Sequence, residues 1–259
     1  MSEGEDPQDR SLQALGLAIT PGGLHSQDSV RKVGPDETVH LARRRRDRPK
    51  PSDKWLSGQA ARANWIVATY CKGGVIQEFV ADIVVPAEPA RHGGQTVYVF
   101  PGLQDDGGTL ILQPVLQWGA QGDPPGWRLC SWMVDRVAGT ANRTASVPVA
   151  PGIRVQGRMR VIGRAGNRFT YECTFDGQPA TRLQASLPGL NTAVAVLEAY
   201  GIKGAPDYPP EPAIRVDQVR LTPRSPAAWA TQDIVTDVGQ HAEIVSAAEP
   251  CVFALHCRP

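Results

Sequence analysis

No Cys-x-x-Cys pair, no Gly-rich loop joining a strand to a helix and no Gly-x-Ser-x-Gly elbow occurs in these 259 residues. Those absences exclude a thiolate zinc site, a phosphate cradle and the usual serine-hydrolase nucleophile. The five histidines, His25, His40, His92, His241 and His256, lie far apart without ligand spacing. No metal and no cofactor is expected. A charge excess of one sign is also missing: 27 basic and 26 acidic side chains leave a net charge of +1. Such a balance gives no field for nucleic acid or an anionic membrane. No stretch approaches the roughly 20 apolar residues of a membrane helix. The polar, acidic start MSEGEDPQDR is no secretory signal. The five cysteines are scattered and odd in number, with Cys251 and Cys257 the nearest thing to a disulfide pair.

What the chain does have is turn formers, 26 Gly and 23 Pro, beside 41% hydrophobic residues. That mixture favours many short strands over long helices. Strands are expected over Asn64–Tyr70, Gln77–Val85, Thr96–Phe100, Thr109–Gly119, Trp127–Val134, Ile153–Ile162, Arg168–Phe175, Thr192–Tyr200, Ala213–Leu221 and Asp233–Ser246. Pro101-Gly102 reads as a turn, Asp176-Gly177 as a hairpin loop, and Leu183 and Leu187 as a connecting stretch. Close spacing and little helical period point to an all-β fold, an antiparallel sandwich of two sheets spanning 61–259.

Residues 1–60 read as an extension. An acidic start gives way to a basic run at Arg43, Arg44, Arg45, Arg46, Arg48 and Lys50. Like charges at that density oppose compact folding. The plain reading is a solvated tether. The sharper one is a processing or inhibitory arm that covers a carboxylate-bearing groove and releases it in acid. Within this part, Ser29–Leu41 can add one strand.

Thr109–Gly119, TLILQPVLQWG, is the most informative stretch. Side chains alternate faces along a strand. Leu110, Leu112, Leu116 and Trp118 form an apolar face, while Gln113 and Gln117 share the other with Ile111 and Val115. Amides are not accepted into a core without partners, so Gln113 marks either a watery face or a site. Pro114 removes a ladder donor and predicts a strand break or a bulge beside Gln113. In Thr192–Tyr200, Ala193, Ala195, Leu197 and Ala199 form a small apolar face. Glu198 and Tyr200 then fall on the opposite face.

A resemblance joins the two strands. Asn64-Trp65, Phe79 to Pro86, TVYVFPGLQ, ILQ, SWMVD, VAPGIRVQG and VLEAYG follow the order of motifs in the eqolisins, the glutamic peptidases of fungi and some bacteria. The similarity runs from about Asn64 to Leu221 and is tightest at ILQ and VLEAY. It implies a concanavalin-like sandwich of two curved sheets and a catalytic Gln/Glu pair on Gln113 and Glu198. Val-Phe-Pro-Gly-Leu stands where the family has Val-Gly-Ile-Asp-Gly, and Val194, Ala195 and Val196 replace a bulkier run before the glutamate. Under this resemblance Glu198 takes a proton from water and returns it to the leaving amine, while the Gln113 amide stabilises the oxyanion. Trp65, Trp132 and Tyr200 are expected to line the groove by strand parity. The implied partner is a peptide or protein substrate, cleaved best in acid by a monomer. The rival is a carbohydrate-binding or carbohydrate-cleaving sandwich, with Asp135 or Glu172 as second carboxylate; a non-catalytic sandwich is the other alternative.

Overall fold

Alternation along the strands builds two separate apolar layers. We describe them in a computed structural model, which covers residues 17–21, 23–41, 65–225, 227–236 and 239–258. The basic run at 43–50 and Asn64 lie outside the described residues. Among those described, the strands are β1 (Leu17–Thr20), β2 (Gly23–Ser26), β3 (Val30–Lys32), β4 (Thr38–His40), β5 (Trp65–Lys72), β6 (Glu78–Val84), β7 (Thr96–Gln104), β8 (Leu110–Trp118), β9 (Arg128–Asp135), β10 (Thr140–Arg143), β11 (Val147–Pro148), β12 (Arg154–Ala165), β13 (Arg168–Phe175), β14 (Gln178–Leu187), β15 (Thr192–Tyr200), β16 (Ala213–Thr222), β17 (Ala230–Asp233), β18 (His241–Ser246) and β19 (Cys251–His256).

The fold is a β-sandwich of two sheets. One runs β17-β5-β15-β7-β8-β9-β10-β3, with β11 also on β9; the other runs β18-β19-β16-β6-β12-β13-β14-β4. Pairing is antiparallel except at two edges, where β3 joins β10 and β4 joins β14 in parallel. Ser29–Leu41 therefore supplies two short strands, one to each sheet. The β1–β2 hairpin forms a two-stranded sheet of its own.

The main core lies between the sheets. It takes Leu110, Leu112, Leu116 and Trp118 from β8 and Ala193, Ala195, Leu197 and Ala199 from β15. A second cluster covers the outer face of the first sheet: Trp65, Tyr98, Phe100, Ile111, Val115, Cys130, Trp132, Val134, Val194, Val196 and Tyr200. That outer face carries Gln113 and Glu198.

Four local expectations are corrected. Pro101-Gly102 is not a turn: β7 runs through it to Gln104. Gly102 fits because a Cβ there would stand 3.2 Å from Val194 Cγ2 and 3.5 Å from Gln113 Cβ. Pro114 makes no bulge, since β8 keeps an unshifted register with β9 from Leu110 to Gln117. Instead the β7–β8 ladder is interrupted between Val99↔Leu116 and Leu103↔Leu112, the interval that holds Pro101 and Pro114. Neither ring has an N–H to give. Leu183 and Leu187 belong to β14, which returns from the Asp176-Gly177 hairpin with Thr181, Leu183, Ala185 and Leu187 facing inward. The strand expected over Asp233–Ser246 is confined to β18, while Asp233 ends β17, which pairs in the other sheet.

All five cysteines are free and buried. Cys251 opens β19 and Cys257 follows its last residue, about 20 Å away at strand rise. No disulfide can span that distance. Among the described residues, no helix is long and apolar enough to cross a membrane.

Candidate functional site

The outer face of the first sheet holds more polar groups than a core tolerates. Gln113, Gln117 and Glu198 are all buried there, at 0%, 1% and 0% exposure. Each must be explained by a partner or a purpose. Gln117 has two partners. Its Oε1 accepts from Trp132 Nε1 at 2.9 Å and its Nε2 donates to Asp123 Oδ2. Asp123 also accepts from Arg143 Nη1 at 3.3 Å and Ser146 Oγ at 2.9 Å. The Arg143 guanidinium lies 5.4 Å from the centre of the Trp132 ring. Gln117 is therefore structural: it fixes the Trp132 indole through a closed polar network.

Gln113 differs. Its Nε2 donates at 3.3 Å to the carbonyl oxygen of Pro21, 92 residues away. Its Oε1 has no hydrogen-bond partner among the described residues, and neither has the buried Nε1 of Trp65 on the same face. A buried acceptor and a buried donor without partners on one face mark it as a place where a further polar group can bind.

Glu198 forms the other half. Tyr200 Oη lies 2.5 Å from Glu198 Oε1 and 3.3 Å from the carbonyl oxygen of Thr20. Strand parity places Glu198 and Tyr200 on one face, two residues apart, which lets the phenol fold back onto the carboxylate. Burial, then the charge of Glu198, pushes the Tyr200 hydroxyl well above its ordinary pKa. Tyr98, across from Glu198 in the ladder, is raised for the same two reasons in the same order. Both phenols stay protonated. The Arg136 guanidinium lies 5.7 Å from the Trp65 ring centre; burial lowers its pKa, while Glu198, Tyr200 and Asp105 pull it back up. Trp65 is itself the ladder neighbour of Glu198 on β5.

Gln113 and Glu198 are not in one row of the sheet. Glu198 pairs with Tyr98, and Tyr98 with Gln117. Gln113 lies four residues further along β8, packed against the Gly102 gap beside Val194. Four residues are about 13 Å of strand. What joins the two ends of the face is the β1–β2 turn. Its successive carbonyls, from Thr20 and Pro21, take one hydrogen bond from Tyr200 and one from Gln113.

Of the expected lining residues, Trp65 and Tyr200 gather at Glu198, while Trp132 is the ladder partner of Gln113. Tyr98, Arg136 and the turn carbonyls were not expected. Tyr98 has a readable signal, the polar-tipped ring among valines in TVYVF; Arg136 and the turn have none. The rival second carboxylates are occupied. Glu172 accepts two hydrogen bonds from Arg160 in the other sheet, and Asp135 Oδ1 caps the amides of Val137 and Ala138. Among the described residues no group of three or more His, Cys, Asp or Glu is placed to hold a metal ion.

No protein-family model and no curated protein sequence matches the chain. Solved structures do. Scytalidoglutamic peptidase bound to a peptide-based transition-state analogue is similar with a TM-score of 0.48 and 14% identity, over 74% of this chain and 98% of that one. SCP-B, an eqolisin-family peptidase in complex with the tripeptide Ala-Ile-His, is similar with a TM-score of 0.46 and 14% identity over the same shares. Congerin II, liganded with lactose and MES, follows with a TM-score of 0.32 and 11% identity over 58% of this chain and 99% of that one. These likenesses concern the fold alone.

Proposed function

We propose that this protein hydrolyses peptide bonds, with Glu198 as general base and Gln113 as amide donor. The observation that carries the reading is the engagement of two consecutive peptide carbonyls by Tyr200 and Gln113. Donors placed to meet successive backbone carbonyls support a polypeptide ligand over a sugar ring. Two hydrogen-bond lengths through Tyr200 keep Glu198 Oε1 within about 6 Å of the Thr20 carbonyl oxygen. With a substrate carbonyl in that place, Glu198 takes a proton from the water as its oxygen attacks the carbonyl carbon. The tetrahedral intermediate collapses as the same proton passes to the departing amine. Tyr200 donates to the carboxylate or to the oxyanion. Gln113 holds the carbonyl that occupies the place of Pro21.

The test is hydrolysis of denatured casein between about pH 3 and 7, with a polysaccharide panel alongside. Glu198→Gln and Gln113→Ala are each expected to abolish casein cleavage and to keep the far-ultraviolet circular dichroism of the parent. Wild-type cleavage by either variant removes that residue from the mechanism. Cleavage of a polysaccharide in place of casein overturns the reading.

A further inference from the structure

The groove is occupied in the intact chain. Thr20 is fully buried and Pro21 is buried, although both belong to a hairpin whose strands pair with neither large sheet. A lone two-stranded hairpin is marginal in water. Two contacts at its tip tie it to the first sheet: Gln113 Nε2 to Pro21 O, and Tyr200 Oη to Thr20 O. These are the side chains assigned above to substrate. We propose that the β1–β2 turn is the resident peptide ligand of this site, and that substrate must displace it. The blocking consequence rests on the hydrolase reading; the occupancy does not.

The occupant reaches the site on a short leash. Only Gln27–Ser29 separates β2 from β3, and β3 is anchored on β10. A tether this short keeps the turn at an effective concentration of about millimolar. A free peptide of ordinary affinity loses that competition, so the intact chain is nearly latent. Blocking of this kind raises KM and leaves kcat unchanged. The ligand class is also defined. The site takes a backbone that turns at a β-branched residue followed by proline, presenting both carbonyls to one side.

Two arms test this on the full-length protein. The first is hydrogen–deuterium exchange of wild type, Gln113→Leu and Tyr200→Phe. Amides of 17–26 are expected to exchange about fivefold faster in each variant, for Tyr200→Phe in acid where a protonated Glu198 leaves the phenol to the Thr20 carbonyl, the effect of one lost hydrogen bond, with β7 and β8 unchanged. Equal exchange in all three proteins overturns the inference. The second arm expels the turn with Thr20→Asp/Pro21→Asp, since two carboxylates do not stay in a dry seat. A labelled synthetic peptide of residues 16–27 is then added. The double variant is expected to bind it and wild type is not; adding Gln113→Leu to the double variant weakens binding about fivefold. Equal binding by wild type and double variant, or none by either, overturns the inference. Casein hydrolysis by the double variant at a KM about tenfold lower supports both readings. Peptide binding without hydrolysis keeps the resident ligand and overturns the hydrolase. Should the double variant fail to fold, the exchange arm alone decides.

Discussion

Tyr200 Oη stands 2.5 Å from Glu198 Oε1 and 3.3 Å from the carbonyl oxygen of Thr20. A phenol has one proton for these two acceptors. With Glu198 ionised, the proton goes to the carboxylate, the stronger acceptor. With Glu198 protonated, the carboxyl O–H donates to Tyr200 and the phenol turns to the carbonyl. Tyr200 thus couples the charge on Glu198 to its grip on a peptide.

Tyr200→Phe tests that coupling. The variant removes a donor that favours the charged carboxylate, so ionisation of Glu198 requires a higher pH. The acid side of the kcat/KM profile is expected to move to higher pH. The other groups that face Glu198, Tyr98 from β7 and Arg136 after β9, remain in place. At the optimum, kcat/KM falls by about 10- to 100-fold, the loss of one hydrogen bond to a charged group. A pH–rate profile coincident with wild type would leave Tyr200 a packing residue.

How much of this was legible follows from the range of each interaction. β13 and β15 read at their true limits because their alternation is local and clean. The face that carries Gln113 and Glu198 also followed from parity. β14 carries the same period, Thr181, Leu183, Ala185 and Leu187 alternating with Arg182, Gln184 and Ser186, behind a Pro179 that speaks locally against a strand. Pro101-Gly102 looks like a turn to any local rule; its place inside β7 depends on Val194 and Gln113 filling the gap. The offset between Gln113 and Glu198 is a matter of register across three strands, which no single stretch encodes. The β1–β2 turn meets its partners across 92 and 180 residues of sequence, a separation that no local period encodes.

Gln117→Leu separates the structural amide from the site. The Trp132 indole N–H would lose its 2.9 Å acceptor while staying buried. An unsatisfied buried donor costs about 1–3 kcal/mol. The urea midpoint is expected to fall accordingly, with an unchanged slope. Adding Trp132→Phe removes the stranded donor and is expected to cost less than the sum of the single changes. Strict additivity would show that the two side chains do not depend on each other.

Buried thiols set an alkaline limit on stability. Burial raises Cys130 and Cys257 from 9.0 to about 11, and Cys173 further. In the unfolded chain these thiols ionise from about pH 9; in the folded protein they stay neutral to about 11. Their contribution is therefore complete below pH 9 and is lost as pH rises toward 11. Fully buried Cys130 alone accounts for about 2–3 kcal/mol. Urea midpoints taken at about pH 8 and 10.5 should show the fall, and Cys130→Ala should flatten it. An equal fall in that variant would assign the effect to other groups.

Gly157 on β12 tests how the sheets meet beneath the site. A Cβ there would lie 2.7 Å from Pro114 Cγ and 3.3 Å from Pro101 Cγ. Both are ring atoms that cannot rotate aside. The two prolines also stand where the β7–β8 ladder is interrupted, next to Gln113. Gly157→Ala is expected to destabilise by about 1–3 kcal/mol through overpacking. The push falls on β8, so affinity for peptide should weaken as well. Gly163, six residues on along the same strand, is the control: a Cβ there would come no closer than 3.7 Å to Thr170. Gly163→Ala is expected to stay within about 0.5 kcal/mol of wild type. Equal urea midpoints for the two variants would mean that the sheets can part at Pro114, and that Gln113 is not held by the contact beneath it.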